Sequence, residues 1–261
     1  MLVMYLRAVR GALRAQFLIS KHPFDGMGVL LMGPLYAVVL FAILKNTGRI
    51  DLAGFALVAP FLISVLMQGI FQAGELFARD RDGQTLELAV ATPAPYFVIL
   101  ASRVTVVMAI SIPSLAVSWL IGWLFFGIEV TLHHPVLLLA TLLLTLFAAS
   151  GTAVAATATF CYGRSSRTFQ STVAYWPMML LAGVIVPISL LPEWVQPFSR
   201  IVFLYWAADL LRDAVAAEPV DNVLPRLAAL TGLGVAGALL GAWMVNRMLD
   251  HHKREGTLGL S

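Results

Sequence analysis

Charged side chains make up 12% of this 261-residue chain against 60% hydrophobic, yet five of them crowd the stretch ARDRDGQTLELAVATPAPYF, Ala78 to Phe97. Arg79, Asp80, Arg81, Asp82 and Glu87, with the Thr85 hydroxyl among them, present donors and acceptors of both signs. Such a set suits docking of a complementary surface. Bond-making chemistry finds little support elsewhere: there is no G-x-S-x-G, no H-E-x-x-H, and no acid inside a long apolar run to form an aspartyl pair. A phosphate-cradling loop needs Gly-Lys followed by Ser or Thr, and the three lysines follow Ser20, Leu44 and His252. No nucleotide site of that kind is expected.

A second polar set is embedded in apolar sequence. Ser64, Gln68, Gln72 and Glu75 fall at i, i+4, i+8 and i+11, one seam on a helix, and in lipid such groups must face protein or a wet path. Ser111, Ser114 and Ser118, then Thr141, Thr145, Thr152 and Thr159, form weaker rows whose simplest role is helix-to-helix or back-bonded hydrogen bonding. Thr168, Thr172, Tyr175 and Trp176 open a further apolar stretch. His133-His134 and His251-His252 lack the neighbouring ligands a metal site needs, and Cys161, the single cysteine, reads as a small packing residue.

The elements that must position these groups are transmembrane helices. A mean hydropathy of +0.87 argues for lipid as the solvent. Six runs without Asp, Glu, Lys, Arg or His are long enough to cross a core roughly 30 Å thick: Gly26 to Leu44, Leu52 to Gly74, Val104 to Ile128, Pro135 to Gly163, Thr168 to Pro192 and Leu227 to Asn246. Runs this clean count against proton- or sodium-coupled carriers, which place an ionisable group near the midplane. The expected fold is an all-α integral membrane protein with six spans in a single domain, residues 1–261.

Six spans put both termini on one side. Assigning them to the cytoplasm places 12 of the 17 Lys and Arg there (Arg7, Arg10, Arg14, Lys21, Arg79, Arg81, Arg103, Arg164, Arg167, Arg247, Lys253 and Arg254), while the 14 acids divide evenly. The quoted stretch is then cytoplasmic. Residues 1–21 set Arg7, Arg10 and Arg14 beside Leu6, Val9, Leu13 and Phe17, an amphipathic helix expected to lie in the interface as an anchor or a partner contact. No cleaved signal peptide is expected. The apolar run Ile201 to Ala208 has eight residues, too few to cross, so residues 193–226 are expected to form an extracellular re-entrant or interfacial segment. The excess of Arg over Lys points to a bacterial inner membrane, and no basic run is long enough for nucleic acid.

Within residues 79–95, Asp82 can cap a short helix beginning at Gly83, and Pro93 and Pro95 end it. Pattern alone leaves this segment as either a protein-docking element or a snorkelling connector. Asp80-Arg81-Asp82-Gly83-Gln84-Thr85-Leu86-Glu87, followed by Ala91-Thr92-Pro93, resembles the acidic-x-acidic-x-G-T-L-E … T-P signature after the second span of type-two ABC exporter permeases. The likeness extends to the amphipathic N-terminal helix, the six spans and the re-entrant segment; Gln84 between Gly83 and Thr85 departs from it.

The resemblance implies that Arg79, Asp80, Arg81, Asp82, Thr85 and Glu87 face a separate ATP-binding subunit through a coupling helix. It also implies two permease copies with two ATPases, no cofactor in this chain because ATP and Mg²⁺ sit on the partner, and a path near Ser64, Gln68, Gln72, Glu75, Thr172, Tyr175 and Trp176. Neutral amides, hydroxyls and aromatics suit an amphipathic or hydrophobic cargo such as a drug, a natural product or a lipid. The alternatives are a polysaccharide or glycolipid exporter, with six Trp to line a conduit, and a non-transporting membrane scaffold.

Overall fold

The structure is a computed structural model and describes residues 9–16, 27–48, 52–83, 95–127, 132–162, 167–184, 188, 191–216 and 219–255. Among the described residues every regular element is a helix. In chain order these are α1 (Met27–Thr47), α2 (Ala53–Met67), a π-helical turn (Gln68–Gln72), α3 (Ala73–Asp82), α4 (Tyr96–Ala109), α5 (Ile112–Phe126), α6 (Pro135–Tyr162), α7 (Arg167–Leu181), α8 (Gln196–Ser199), α9 (Phe203–Val215) and α10 (Val223–Glu255), preceded by helical residues 9–16.

Four helices among the described residues are long and apolar enough to cross a membrane: Ala53–Asp80, Tyr96–Phe126, Pro135–Ala158 and Val223–Asp250. They correspond to the second, third, fourth and sixth expected spans. The stretches Gly33–Thr47 and Thr172–Leu181, in the first and fifth, are apolar but shorter. α7 stops at Leu181 instead of running to Pro192, because Gly183 adopts φ +63°, a left-handed turn that ends the helix. The third span begins at Tyr96 rather than Val104, so Arg103 lies inside a helix. Between α4 and α5 the ladder breaks at Ile110–Ser111, just before Pro113, which cannot donate a backbone N–H.

α2 is the central post. Twelve of its fifteen residues are buried, so it is wrapped by protein where the other spans show lipid a full apolar face. That outward face is carried by Leu35 and Val39 of α1, Trp123 and Phe125 of α5, Val136 and Leu139 of α6, and Leu239 and Trp243 of α10. It is what a bilayer solvates.

The most extensive helix contact among the described residues is that of α6 with α10, and small residues let the two backbones approach closely. A Cβ on Gly151 would come 2.7 Å from the Ala238 backbone nitrogen, one on Gly237 2.7 Å from Thr152 Cγ2, and one on Gly241 2.9 Å from the Gly151 carbonyl oxygen. The G-x-x-x-G of Gly237 and Gly241 is therefore spent on packing within the subunit.

Six residues of the expected run Ile201 to Ala208, from Phe203 on, open a thirteen-residue helix, α9, whose Leu204, Ala207, Ala208, Leu211 and Ala214 are buried. At roughly 20 Å it does not cross alone. It packs against α6, α10, α2 and α7, closing one end of the bundle.

Candidate functional site

The expected coupling residues divide. Arg81 and Asp82 end α3, their side chains outside the described residues, and Thr85, Glu87 and the helix that Asp82 was expected to cap also lie outside them. Arg79 is exposed and donates from Nε to Glu75 Oε1 at 3.3 Å, an i, i+4 pair along the helix. Asp80 turns the other way. It is 7% exposed, accepts from Arg103 Nη1 at 2.7 Å on each carboxylate oxygen, and accepts from the Tyr96 hydroxyl at 2.8 Å on Oδ2. Arg103 also donates from Nε to Gln16 Oε1 at 3.2 Å, bringing in the N-terminal helical segment.

Asp80 precedes residues 84–94 and Tyr96 follows them, so one carboxylate ties together the two helices on either side of that segment. Three elements distant in sequence meet there. Residues 9–16 present Val9, Ala12, Leu13 and Gln16 inward and Arg10 and Arg14 to the exterior, as the amphipathic spacing requires. Sequence reasoning missed the clamp. Its signal was Arg103, a charge close to the expected start of an apolar span, which in a membrane calls for a partner.

The seam is graded along its length. Ser64 and Gln68 are buried, Gln72 is half-buried and Glu75 is exposed. The π-helical turn between Gln68 and Gln72 inserts an extra residue, re-aiming side chains that a straight helix would align. Beside it lies a cavity of about 20 Å³ lined by Gly69, Ile70, Met108, Thr152 and Met178 among others. The Phe71 ring meets the Tyr175 ring at 6.2 Å, and Tyr175 meets Trp176 at 5.5 Å, so the seam and the α7 residues are neighbours. Tyr175 is buried, Trp176 is 60% exposed, and Thr172 is half-buried. The hydroxyl rows are largely back-bonded: Ser118 donates to the Ser114 carbonyl, Thr145 to Thr141 and Thr152 to Ala148.

At the opposite end from the clamp, a second polar knot surrounds α9. Arg226 donates to Asp209 at 2.8 Å and to Asp213 at 2.6 Å. Arg212 donates to the Gly183 carbonyl at 2.6 Å and lies 3.5 Å above the Phe55 ring. Burial pulls the Arg212 guanidinium down to about 10, with Asp209 and Asp213 opposing that shift. The His134 backbone N–H donates to the Ala214 carbonyl, and His133 Nδ1 lies 3.3 Å from that of Val215, so this pair fastens α9. The pattern D-x-x-R-D, with Arg226 further on, was the legible sign of this knot.

Taken together, a bundle of apolar helices with a lipid-facing exterior and charge confined to its two ends defines a polytopic membrane protein. Residues 12–215, well over half the chain, match the family model described as ABC-2 type transporter. The chain belongs to the ABC-2 type transporter family, and it is a permease component. A search of curated proteins returned no match.

Proposed function

We propose that this chain is the membrane-spanning subunit of an ATP-driven exporter. It works as a pair of permeases with six spans each and with two copies of a separate ATP-binding subunit, which hold the ATP and Mg²⁺. Both termini and residues 84–94 face the cytoplasm of a bacterial inner membrane, and residues 193–226 form an extracellular re-entrant segment. The cargo is amphipathic or hydrophobic, such as a drug, natural product or lipid.

The observation that carries this reading is the unbroken run of helix from Ala53 to Asp82, one turn of it π-helical. It connects the end of the bundle beside Arg212 to the Asp80 clamp at the base of residues 84–94. Force applied by a partner at residues 84–94 reaches the far end through one buried post. Along the way the post carries Gln68, Gln72 and the Tyr175 contact, neutral polar and aromatic groups suited to a greasy cargo.

The test is ATP hydrolysis by the purified complex of this chain with its ATPase, comparing wild type with Asp82→Lys and Glu87→Lys. Assembly with collapse of cargo-stimulated hydrolysis in the variants supports the reading. Full coupled turnover in both would remove residues 79–95 from the mechanism.

A further inference from the structure

Arg212 touches the ends of two helices that have no sequence proximity to it or to each other. Nη2 donates to the Gly183 carbonyl at 2.6 Å and to the Val184 carbonyl at 3.3 Å, the turn that closes α7. A helix C-terminus leaves carbonyls without partners and concentrates partial negative charge, so a guanidinium there caps and neutralises together. On its other side the same group stacks on Phe55 in the first turn of α2, and its Cβ and Cγ lie 3.9 Å from the position of a Gly54 Cβ. The acids nearby, Asp209 and Asp213, are taken by Arg226. They act on Arg212 through their charge, while its hydrogen bonds and its ring contact go to the two helix ends.

We infer that Arg212 is a latch that holds the outer ends of α2 and α7 together and must release for cargo to leave. This rests on the exporter reading for its role in the cycle, since α2 carries the path candidate Ser64 and α7 carries Tyr175 and Trp176. The latch itself is a property of the resting subunit. Arginine suits it because the one nitrogen Nη2 donates to both carbonyls while the flat face of the guanidinium lies on an aromatic ring; a lysine ammonium has no such face to stack while it donates.

The experiment places spin labels at Leu52→Cys and Leu180→Cys, in a Cys161→Ser background, and measures the distance between them. In the permease alone one short distance is expected, and Arg212→Lys should raise the fraction of longer distances about tenfold, the worth of a charge-assisted bond. Phe55→Leu, which keeps the guanidinium and removes the stacking surface, should move the distribution the same way by less. With the ATPase subunit bound, nucleotide trapping should lengthen the wild-type distance.

An unchanged distribution in both variants overturns the latch whatever the function. A wild-type complex that hydrolyses ATP with the distance fixed overturns the release step while leaving the exporter reading intact. Failure of the chain to bind any ATPase subunit, with the variants still opening the resting distance, sinks the exporter reading and leaves the latch standing.

Discussion

Arg103 Nη1 sits 2.7 Å from both carboxylate oxygens of Asp80, and the two side chains are only 16% and 10% exposed. Removing one partner of such a buried pair strands a charge, so Asp80→Asn or Arg103→Met should each cost about 3–5 kcal/mol. Thermal unfolding in detergent reads this directly. The swap of Asp80→Arg with Arg103→Asp should recover part of the loss. Recovery would separate the pairing from the mere presence of either residue.

The exposed pair makes the contrast. Glu75 and Arg79 lie 3.3 Å apart with about half of each side chain exposed. An isolated i, i+4 pair contributes about 0.3–0.5 kcal/mol, so Glu75→Gln should leave the melting midpoint close to wild type. A drop comparable to that of Asp80→Asn would mean that Glu75 has a partner beyond Arg79.

Space rather than charge governs the α6–α10 contact. Gly151→Val should push a branched side chain into the Ala238 backbone and cost about 1–3 kcal/mol by overpacking. Gly232 on the same α10 has no atom within 4 Å of its would-be Cβ, and Gly232→Ala should be neutral or stabilising by up to about 1 kcal/mol, since glycine is the poorer helix former. Urea or thermal unfolding of the two variants decides whether the close approach is required.

Adjacent aromatics on α7 should separate stability from function. Tyr175 is buried against Phe71, and Tyr175→Ala removes a core side chain at a cost of about 3 kcal/mol. Trp176 projects outward, so Trp176→Ala should leave the monomer's melting unchanged. If Trp176 lies on the path or against a second copy, transport or dimer recovery falls instead, measured on the same preparation.

Much of this architecture is written in the sequence because lipid imposes a simple rule. Long uncharged runs located the fourth span at both ends and the start of the second, while the helices of the second and sixth run on through charged residues to Asp82 and Glu255, and the small-residue pattern at Gly237 and Gly241 reported close packing. What the sequence hid depends on geometry that hydropathy does not weigh. The left-handed turn at Gly183 shortened the fifth helix, and the break at Ser111 divided the third. The π-helical turn at Gln68–Gln72 has no residue signature at all, so the seam looked straighter than it is. Asp80, grouped with its charged neighbours by adjacency, faces inward because successive helical residues point about 100° apart. Its partner Arg103 stood 23 residues away, beyond the reach of any local pattern.

Asp209 gives the fold a pH signature with a definite sign. Burial raises its pKa above the ordinary 3.8; the nearby Arg226 and Arg212 charges pull against that shift and Asp213 adds to it. A carboxyl whose folded pKa is raised binds its proton more readily in the folded state. Its stabilising contribution is complete below about pH 3.8 and is lost as pH rises through the folded value. The effect is shallow, because the Asp209 side chain is 42% exposed and solvent screens it. Asp209→Asn should therefore melt slightly above wild type at pH 7, and that advantage should shrink as both are acidified toward pH 4. Melting curves of the two proteins in the same detergent, taken pairwise across that range, check it. Asp209→Asn melting below wild type at pH 7, with the gap closing toward pH 4, would mean that the Arg226 pairing outweighs burial and that the knot holds α9 by charge.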